Sequence, residues 1–225
     1  MAEARGERFD LAGSLVYGFG LAALMYGFSR LPSTAGILLA MAGAVALIAF
    51  YRIETSVASP VMNMALFRDN VVFALSNFAA LINYSATFAS GFLLSLYLQY
   101  IKAMTPESAG VVLVAQPVVM ALLSPLAGSL SDHIEPRIVA SIGMAFTTIG
   151  LASFIFVDTG TPLGFIVAGL VVLGLGFALF SSPNTNAVMS SVESRHYGVA
   201  SGTLGTMRLT GQMFSMGIAM LIFAL

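Results

Sequence analysis

The sequence holds no cysteine, which removes disulfides, thiolate nucleophiles and cysteine-type metal sites together. Charge is scarce as well: 8% of the 225 residues are Asp, Glu, Lys or Arg, where a soluble globular chain carries about a quarter. With 58% hydrophobic residues and a mean hydropathy of +0.95, water is not the chain's main solvent. Nine Lys and Arg against ten Asp and Glu leave a net charge of -1, so the basic footprint that nucleic-acid binding demands is missing. The two histidines, His133 and His196, lie far apart in sequence, and no HExxH, GxSxG or P-loop pattern occurs. The chain is therefore not read as an enzyme. Its polar, mixed-charge start, "MAEARGERFD", leads into an apolar stretch with no small-residue cleavage site behind it, which does not fit a secretory signal peptide.

Long apolar runs are what the chain does have. Crossing the ~30 Å hydrocarbon core takes roughly 20 mostly apolar residues, because every backbone polar group must be paired within the segment. Seven stretches qualify: Leu11 to Ser29, about Ala35 to Tyr51, one within Asn70 to Ile101, one within Ser108 to Ser131, one within Ile138 to Val157, Pro162 to Pro183, and one from Gly198 onward. Pro162 suits a first helical turn, and Pro183, lacking a donor, is expected to end that helix. The last span is still running at Leu225 in "MGIAMLIFAL", as though cut inside or at the end of a membrane crossing.

Basic residues set the expected orientation. Arg5, Arg8, Arg52, Arg68, Arg137 and Arg195 fall on one side, and Arg30 and Lys102 on the other. Six against two places the N-terminus and the loops around Arg137 and Arg195 in the cytoplasm. The longest polar interruption, "RIETSVASPVMNMALFRDN", ends in a short amphipathic stretch. It divides residues 1–69, an N-terminal arm with two helices and a connecting loop, from residues 70–225, a larger helical group.

Polar groups inside spans are costly unless they face a partner or a cavity. Asn77, Asn83, Tyr84 and Thr87 lie on the third span, with Asn83 and Thr87 four apart on one face. Gln116 stands beside Pro117, where a kink frees a carbonyl that a side-chain amide can satisfy. Asn184 and Asn186 follow Pro183. Each amide is either an interhelical hydrogen bond that holds packing or a polar point in a translocation pathway. Arg208 lies about 15 Å into the last helix at 1.5 Å per residue, with Gln212 four residues on. Its head either snorkels to the interface or faces a wet cavity, binding an anion or a carboxylate from elsewhere, since no carboxylate is expected inside a span of this chain. Gly198, Gly202, Gly205, Gly211 and Gly217 stripe the same helix. Gly198 and Gly202 have the small-xxx-small spacing of closely packed helices, as a static contact or a sliding one. The thirteen methionines are expected to fill packing gaps.

One polar stretch carries a recognisable spacing. In "SPLAGSLSDHIEPR", residues Gly128, Leu130, Asp132 and Arg137 match G-x-L-x-D-x-x-x-x-R/K, which resembles the loop signature between the second and third helices of a half in the major facilitator superfamily. Glu135 stands where that pattern usually has glycine, His133 is the basic residue after Asp132, and Pro136 precedes Arg137. "GLGFALFSSPNTNAVMSSV" and "GVASGTLGTMRLTGQMFSMG" resemble the fourth and fifth helices of the C-terminal half in the fourteen-helix EmrB/QacA-type drug:proton antiporters. Two extra helices between the halves of that branch would account for the first two spans. "PVMNMALFRDNVVFALSN" is similar to the entry into the C-terminal half.

The resemblance implies an all-α integral membrane protein of about seven transmembrane helices, a partial major facilitator fold lacking the last helix of its C-terminal half. It implies part of a proton-coupled exporter of hydrophobic or amphipathic drugs working by alternating access, with the proton gradient as energy source and no cofactor. Its partners would be the lipid bilayer, a small-molecule substrate and the N-terminal half of the transporter, with no nucleic acid; its place would be the plasma membrane, as a multi-pass protein. Asp132 and the basic residue would form a charge-relay clamp on a half-to-half contact, or be no more than a solvated loop pair. Asn77, Asn83, Tyr84, Gln116, Asn184, Arg208 and Gln212 are the expected pathway residues, with no metal site. Two alternatives stand beside this: a transporter of the same fold for a sugar, peptide or siderophore, and a non-transporting membrane module paired with another chain.

Overall fold

A computed structural model describes residues 11–56 and 64–224; Arg5 and Arg8, on which part of the orientation count rests, lie outside them. Among the described residues nine α-helices follow in order: α1 Leu11–Ser29, α2 Thr34–Glu54, α3 Met64–Asp69, α4 Val71–Leu96, α5 Pro106–Leu113, α6 Ala115–His133, α7 Pro136–Ser153, α8 Leu163–Ser190 and α9 Tyr197–Ala224. Among the described residues there is no strand. Among the described residues six segments are long and apolar enough to cross a membrane: α1, α2, α4 with its extension to Ile101, α5 with α6, α7 with its extension to Phe156, and α8. The protein is a multi-pass membrane protein. Helix α9 has 28 residues, about 42 Å at 1.5 Å each, but Arg208, Gln212 and its glycines and threonines dilute the apolar character of its first half.

Local chemistry explains most of the boundaries. Ser33 caps α2, its hydroxyl accepting from Gly36 N at 3.1 Å, and Thr105 caps α5 by accepting from Ser108 N at 3.3 Å, with Pro106 in the first turn. Such caps satisfy orphan donors of the first turn. Pro136 likewise opens α7, where its missing N–H costs nothing. At its far end α4 widens into one π-turn, Tyr97–Ile101, closed by Lys102 N on Tyr97 O at 3.1 Å. Ala103 then takes the left-handed conformation at φ 52°, a role usually given to glycine after a helix. This ending has no glycine or proline to signal it.

Pro183 does not end its helix: α8 continues to Ser190 with the proline buried inside it. The bond lost is the one residue 183 would make to Leu179 O, and a membrane helix tolerates such a loss where its neighbours re-satisfy the backbone. Pro117 also lies within a continuous helical path. The α5 to α6 junction is a slight break at Val114, bridged by Val114 N to Gly110 O and Val118 N to Val114 O, both 3.0 Å.

The chain forms two compact units, Met1–Ser85 with Ser191–Leu225, and Ala86–Ser190. α9 belongs to the first unit because it packs on α1. In the first unit α1 and α2 form an antiparallel pair with backbones in contact. A Cβ at Gly27 would lie 2.4 Å from Ala40 N, and one at Gly43 would lie 2.4 Å from Leu24 N. In the second unit α8 packs against both α6 and α7, and half of its most apolar window is buried, against 17% for α2. It is the most buried span of that unit, though Leu163, Phe165 and Val171 stay exposed. Gly143 of α7 meets α8 so closely that a Cβ would lie 2.5 Å from Phe180 N. Lipid tails are as apolar as leucine, so such close van der Waals contact, rather than exclusion of water, holds these pairs together. The faces away from the contacts carry Leu15, Phe19, Val45, Leu75, Leu122 and Ile149, all exposed as lipid-facing side chains should be.

Candidate functional site

The buried stripe of α4 is the most polar of the helix faces. Phe73, Asn77, Ala80, Asn83 and Thr87 recur every three or four residues and are each no more than 4% exposed, so the shared face expected for Asn83 and Thr87 also includes Asn77. Asn77 Nδ2 donates to Phe73 O one turn back at 2.9 Å, an intrahelical bond rather than an interhelical one. Its Oδ1 is buried with no hydrogen-bond partner among the described residues.

Tyr84 and Arg208 come together within the first unit. The Arg208 Cζ lies 5.7 Å from the centroid of the Tyr84 ring, inside the ~6 Å range in which a ring face attracts a cation. What brings them there is Gly211, one turn along α9. A Cβ at Gly211 would lie 2.5 Å from Leu81 O and 3.0 Å from Ser85 N, so α9 crosses α4 backbone to backbone only because that position has no side chain. Gln212, next to the crossing, is half-buried and makes no side-chain hydrogen bond among the described residues. The close approach expected at Gly198 and Gly202 falls instead at Gly211 and at Gly217, where a Cβ would meet the Phe28 ring at 3.2 Å. Around Gly198, Gly202 and Gly205 there is open space.

The remaining expected pathway residues lie in the second unit. Asn184 is buried on α8, and its Nδ2 finds no partner among the described residues. Gln116 is half-buried and its amide satisfies no freed carbonyl; its backbone oxygen instead faces Gly174, where a Cβ would lie 2.6 Å away. The expectation that no span holds a carboxylate is corrected by Glu54. Helix α2 runs three residues past Tyr51 and buries Glu54 in its last turn, 3% exposed.

Gly128 to Asp132 form the last turns of α6 rather than a loop. Gly128 lets α6 approach α8, since a Cβ there would meet Ser182 Oγ at 3.1 Å. Ser131 Oγ donates to Gly128 O at 2.7 Å and accepts from Asn186 Nδ2 at 3.2 Å, tying the helix end to α8. Leu130 and Asp132 are exposed. Arg137 pairs with Glu135, Nε to Oε1 at 2.6 Å, and not with Asp132. The residue that replaces the usual glycine has taken the arginine.

A polar cluster that the sequence reading passed over lies at the opposite end of α7. Tyr97 Oη donates to Asp158 O at 2.6 Å, and Lys102 Nζ to Thr159 O at 2.8 Å. The Asp158 carboxylate accepts from Gly160 N at 2.8 Å and Thr161 Oγ1 at 3.0 Å. Hydrogen bonds from Thr161 and Gly160, with Lys102 nearby, hold its carboxyl below the usual range.

The Major Facilitator Superfamily model matches residues 76–225. The chain belongs to that superfamily. Its α1 and α2 precede the match, yet relatives of this superfamily chain align with nearly all of it. The riboflavin transporter RibZ of Clostridioides difficile is 29% identical over 218 residues, 96% of this chain and 46% of its own length. Multidrug resistance protein Stp of Mycobacterium tuberculosis is also 29% identical, over 219 residues, 95% of this chain and 40% of its own length. A multidrug resistance protein B homolog of the same species is 28% identical over 202 residues, 84% of this chain and 36% of its own length. The chain thus spans less than half the length of each of these relatives. They are transporters and resistance proteins, not enzymes by name. The Gly128 to Arg137 stretch, read from sequence as a loop, begins as helix; the α4 to α9 crossing at Gly211 was not legible, because five glycines on one helix gave no reason to choose among them.

Proposed function

We propose that this chain is the central and C-terminal part of a fourteen-helix, proton-coupled exporter of hydrophobic or amphipathic drugs. It would act by alternating access in the plasma membrane, with its N-terminus in the cytoplasm and the N-terminal half of the transporter as its partner. One observation carries the reading. Arg208 is half-buried and lies over the Tyr84 ring, next to the place where Gly211 brings α9 against α4 at Leu81, Tyr84 and Ser85. A charge within a membrane domain is costly to keep unless function uses it, and a cation over an aromatic ring suits the binding of amphipathic or aromatic molecules. Two relatives named for multidrug resistance support the drug-export reading.

Asn77, Asn83, Tyr84, Arg208 and Gln212 would be pathway residues of the first compact unit, and Gln116 and Asn184 those of the second. Asp132, exposed at the end of α6, is free to hold a helix N-terminus of the N-terminal half, where its negative charge complements the helix dipole. Transport by the complete protein in vesicles, with and without an imposed pH gradient, tests the coupling. Drug uptake into inside-out vesicles should rise with the gradient and collapse when it is dissipated; uptake indifferent to the gradient overturns the antiport reading.

A second reading keeps the fold and changes the cargo to a defined polar small molecule. It is favoured by the riboflavin transporter, whose 29% identity equals that of the first multidrug relative. Competition separates the two. A single polar solute that saturates uptake while structurally unrelated drugs fail to compete identifies the second.

A further inference from the structure

Arg208 has contacts in the first compact unit, the Tyr84 ring among them, but the helices that meet α9 there cannot neutralise its charge. Helices α1, α4 and α9 contain no Asp or Glu at any position. Helix α2 holds one, Glu54, in its last turn, and its place is elsewhere. Helix α1 runs alongside α9 in the same direction, with Tyr17 near Thr206 and Phe28 near Gly217, so the antiparallel α2 carries its end toward the beginning of α9. Phe50 already lies level with Gly198 and Gly202, and Glu54 is one turn beyond it. Arg208 follows Gly202 in the other direction, by about 9 Å at 1.5 Å per residue. The depth of the guanidinium is given by its neighbour. Its Cζ is 5.7 Å from the centroid of the Tyr84 ring, and Tyr84 stands close to the middle of the 31-residue span Val71–Ile101. Carbonyl and hydroxyl oxygens can solvate a guanidinium at that depth, yet they leave its charge in place. The residue is only half-buried, so the protein does not seal it off.

We propose that Arg208, with the Tyr84 ring behind it, receives the anionic group of the transported molecule, so that the substrate is an amphipathic acid, a carboxylate on an apolar body. This names a substrate class for the export reading and rests on that reading. Charge selects the anion. Hydrogen bonds in which both partners are ionised are roughly twice as strong as neutral ones, and a charge held away from water is stabilised when it is paired. A cationic compound would meet the same guanidinium as a repulsion. Shape selects the carboxylate, since a guanidinium presents parallel N–H groups that two carboxylate oxygens accept together. Depth selects a dissolved acid over a lipid. At the middle of a span about 15 Å of hydrocarbon separates Arg208 from either headgroup layer, so a lipid phosphate would have to leave its own layer to reach it. An apolar body completes the description, because a second polar group would need a further partner in the membrane domain.

Equilibrium dialysis on the purified complete transporter tests this without any gradient. Three probes share one apolar body and differ in a single group: naphthoate, naphthamide and naphthylmethylammonium. Naphthoate should bind saturably and about tenfold more tightly than the ammonium probe, with naphthamide between them. Arg208→Gln should weaken naphthoate about tenfold and leave naphthamide within a factor of about two. Arg208→Lys, which keeps the charge and loses the paired donors, should keep the anion ahead of the cation. The order of the wild-type affinities decides the matter even where a variant does not fold. Naphthoate bound no more tightly than naphthylmethylammonium overturns the proposal. So does an Arg208→Gln protein that folds and binds naphthoate as wild type does. Displacement of naphthoate by phosphatidylglycerol at stoichiometric ratios overturns it too, by giving Arg208 to a lipid headgroup. Binding in the expected order, without uptake driven by a pH gradient, refutes proton-coupled export and leaves the anion site standing.

Discussion

Two acidic residues, one at each end of α7, are treated in opposite ways. Asp158, beyond the helix's C-terminal end, is absorbed by its own surroundings: its carboxylate accepts from Gly160 and Thr161, its amide donates to Thr161, and its carbonyl receives the Tyr97 hydroxyl. Asp132, just before α7 begins, is exposed and forms no ion pair among the described residues, and the arginine expected beside it is held by Glu135. A carboxylate whose bonds all close locally serves local structure. One left open at a helix end is available to another surface, whose arrival and departure it can respond to.

The largest effect should therefore follow from the open carboxylate. Asp132→Asn is expected to lower transport by the complete protein at least tenfold while its thermal unfolding midpoint stays within a degree of wild type, because no described contact is lost. Wild-type transport in that variant would remove the clamp. Next comes the closed end. Tyr97→Phe deletes the hydroxyl bond to Asp158 O, and Lys102→Met deletes the bond to Thr159 O together with a cation lying 5.8 Å over the Tyr97 ring. Each should destabilise by about 1 kcal/mol, the usual net value of one hydrogen bond, with transport per folded molecule little changed. The double variant should lose less than the sum of the two, since the groups share contacts; strict additivity would show that they act independently.

The same contrast explains what could be read in advance. Spans were legible because twenty apolar residues in a row leave few other options, whereas the stretch from Gly128 to Asp132 was read as a loop and is the end of α6. The closed cluster was hidden, since it depends on a π-turn at Tyr97–Ile101 and a left-handed Ala103 that no glycine or proline announces. Pro183 misled because the rule that proline ends helices is weaker inside a membrane helix, and Pro183 is buried within α8. The contact of α1 with α2 was visible, had the seven-residue spacing of Gly20 to Gly27 and of Gly36 to Gly43 been weighed across two neighbouring spans. For Glu54 there was no such signal: it fell just beyond the expected end of its helix, and three more residues of helix carried it into burial.

Acid sharpens the comparison further. Asp158 is held below the ordinary carboxylate range by hydrogen bonds from Thr161 and Gly160, so its ionised form stabilises the folded state. That contribution is complete above the unfolded value of about 3.9 and is lost as pH falls through the lower folded value. Wild type should thus exceed Asp158→Asn in unfolding midpoint by a constant margin from neutral pH down to about 5, and the margin should close below that. A margin that persists unchanged into acid would mean that the side chain acts through shape rather than charge.

The smallest effect belongs to the pair that occupies the α6 to α7 turn. Arg137 and Glu135 lie 2.6 Å apart, but their side chains are 76% and 50% exposed. Exposed pairs contribute about 0 to 1 kcal/mol and are screened by salt. Glu135→Gln should change stability by less than about 0.5 kcal/mol, and its informative readout is transport. If the clamp needs a basic residue beside Asp132, releasing Arg137 from Glu135 should raise transport at low salt, with the gain fading as ionic strength screens the new pair. No change at any salt would leave Asp132 acting on its helix alone and Arg137 as a solvated charge.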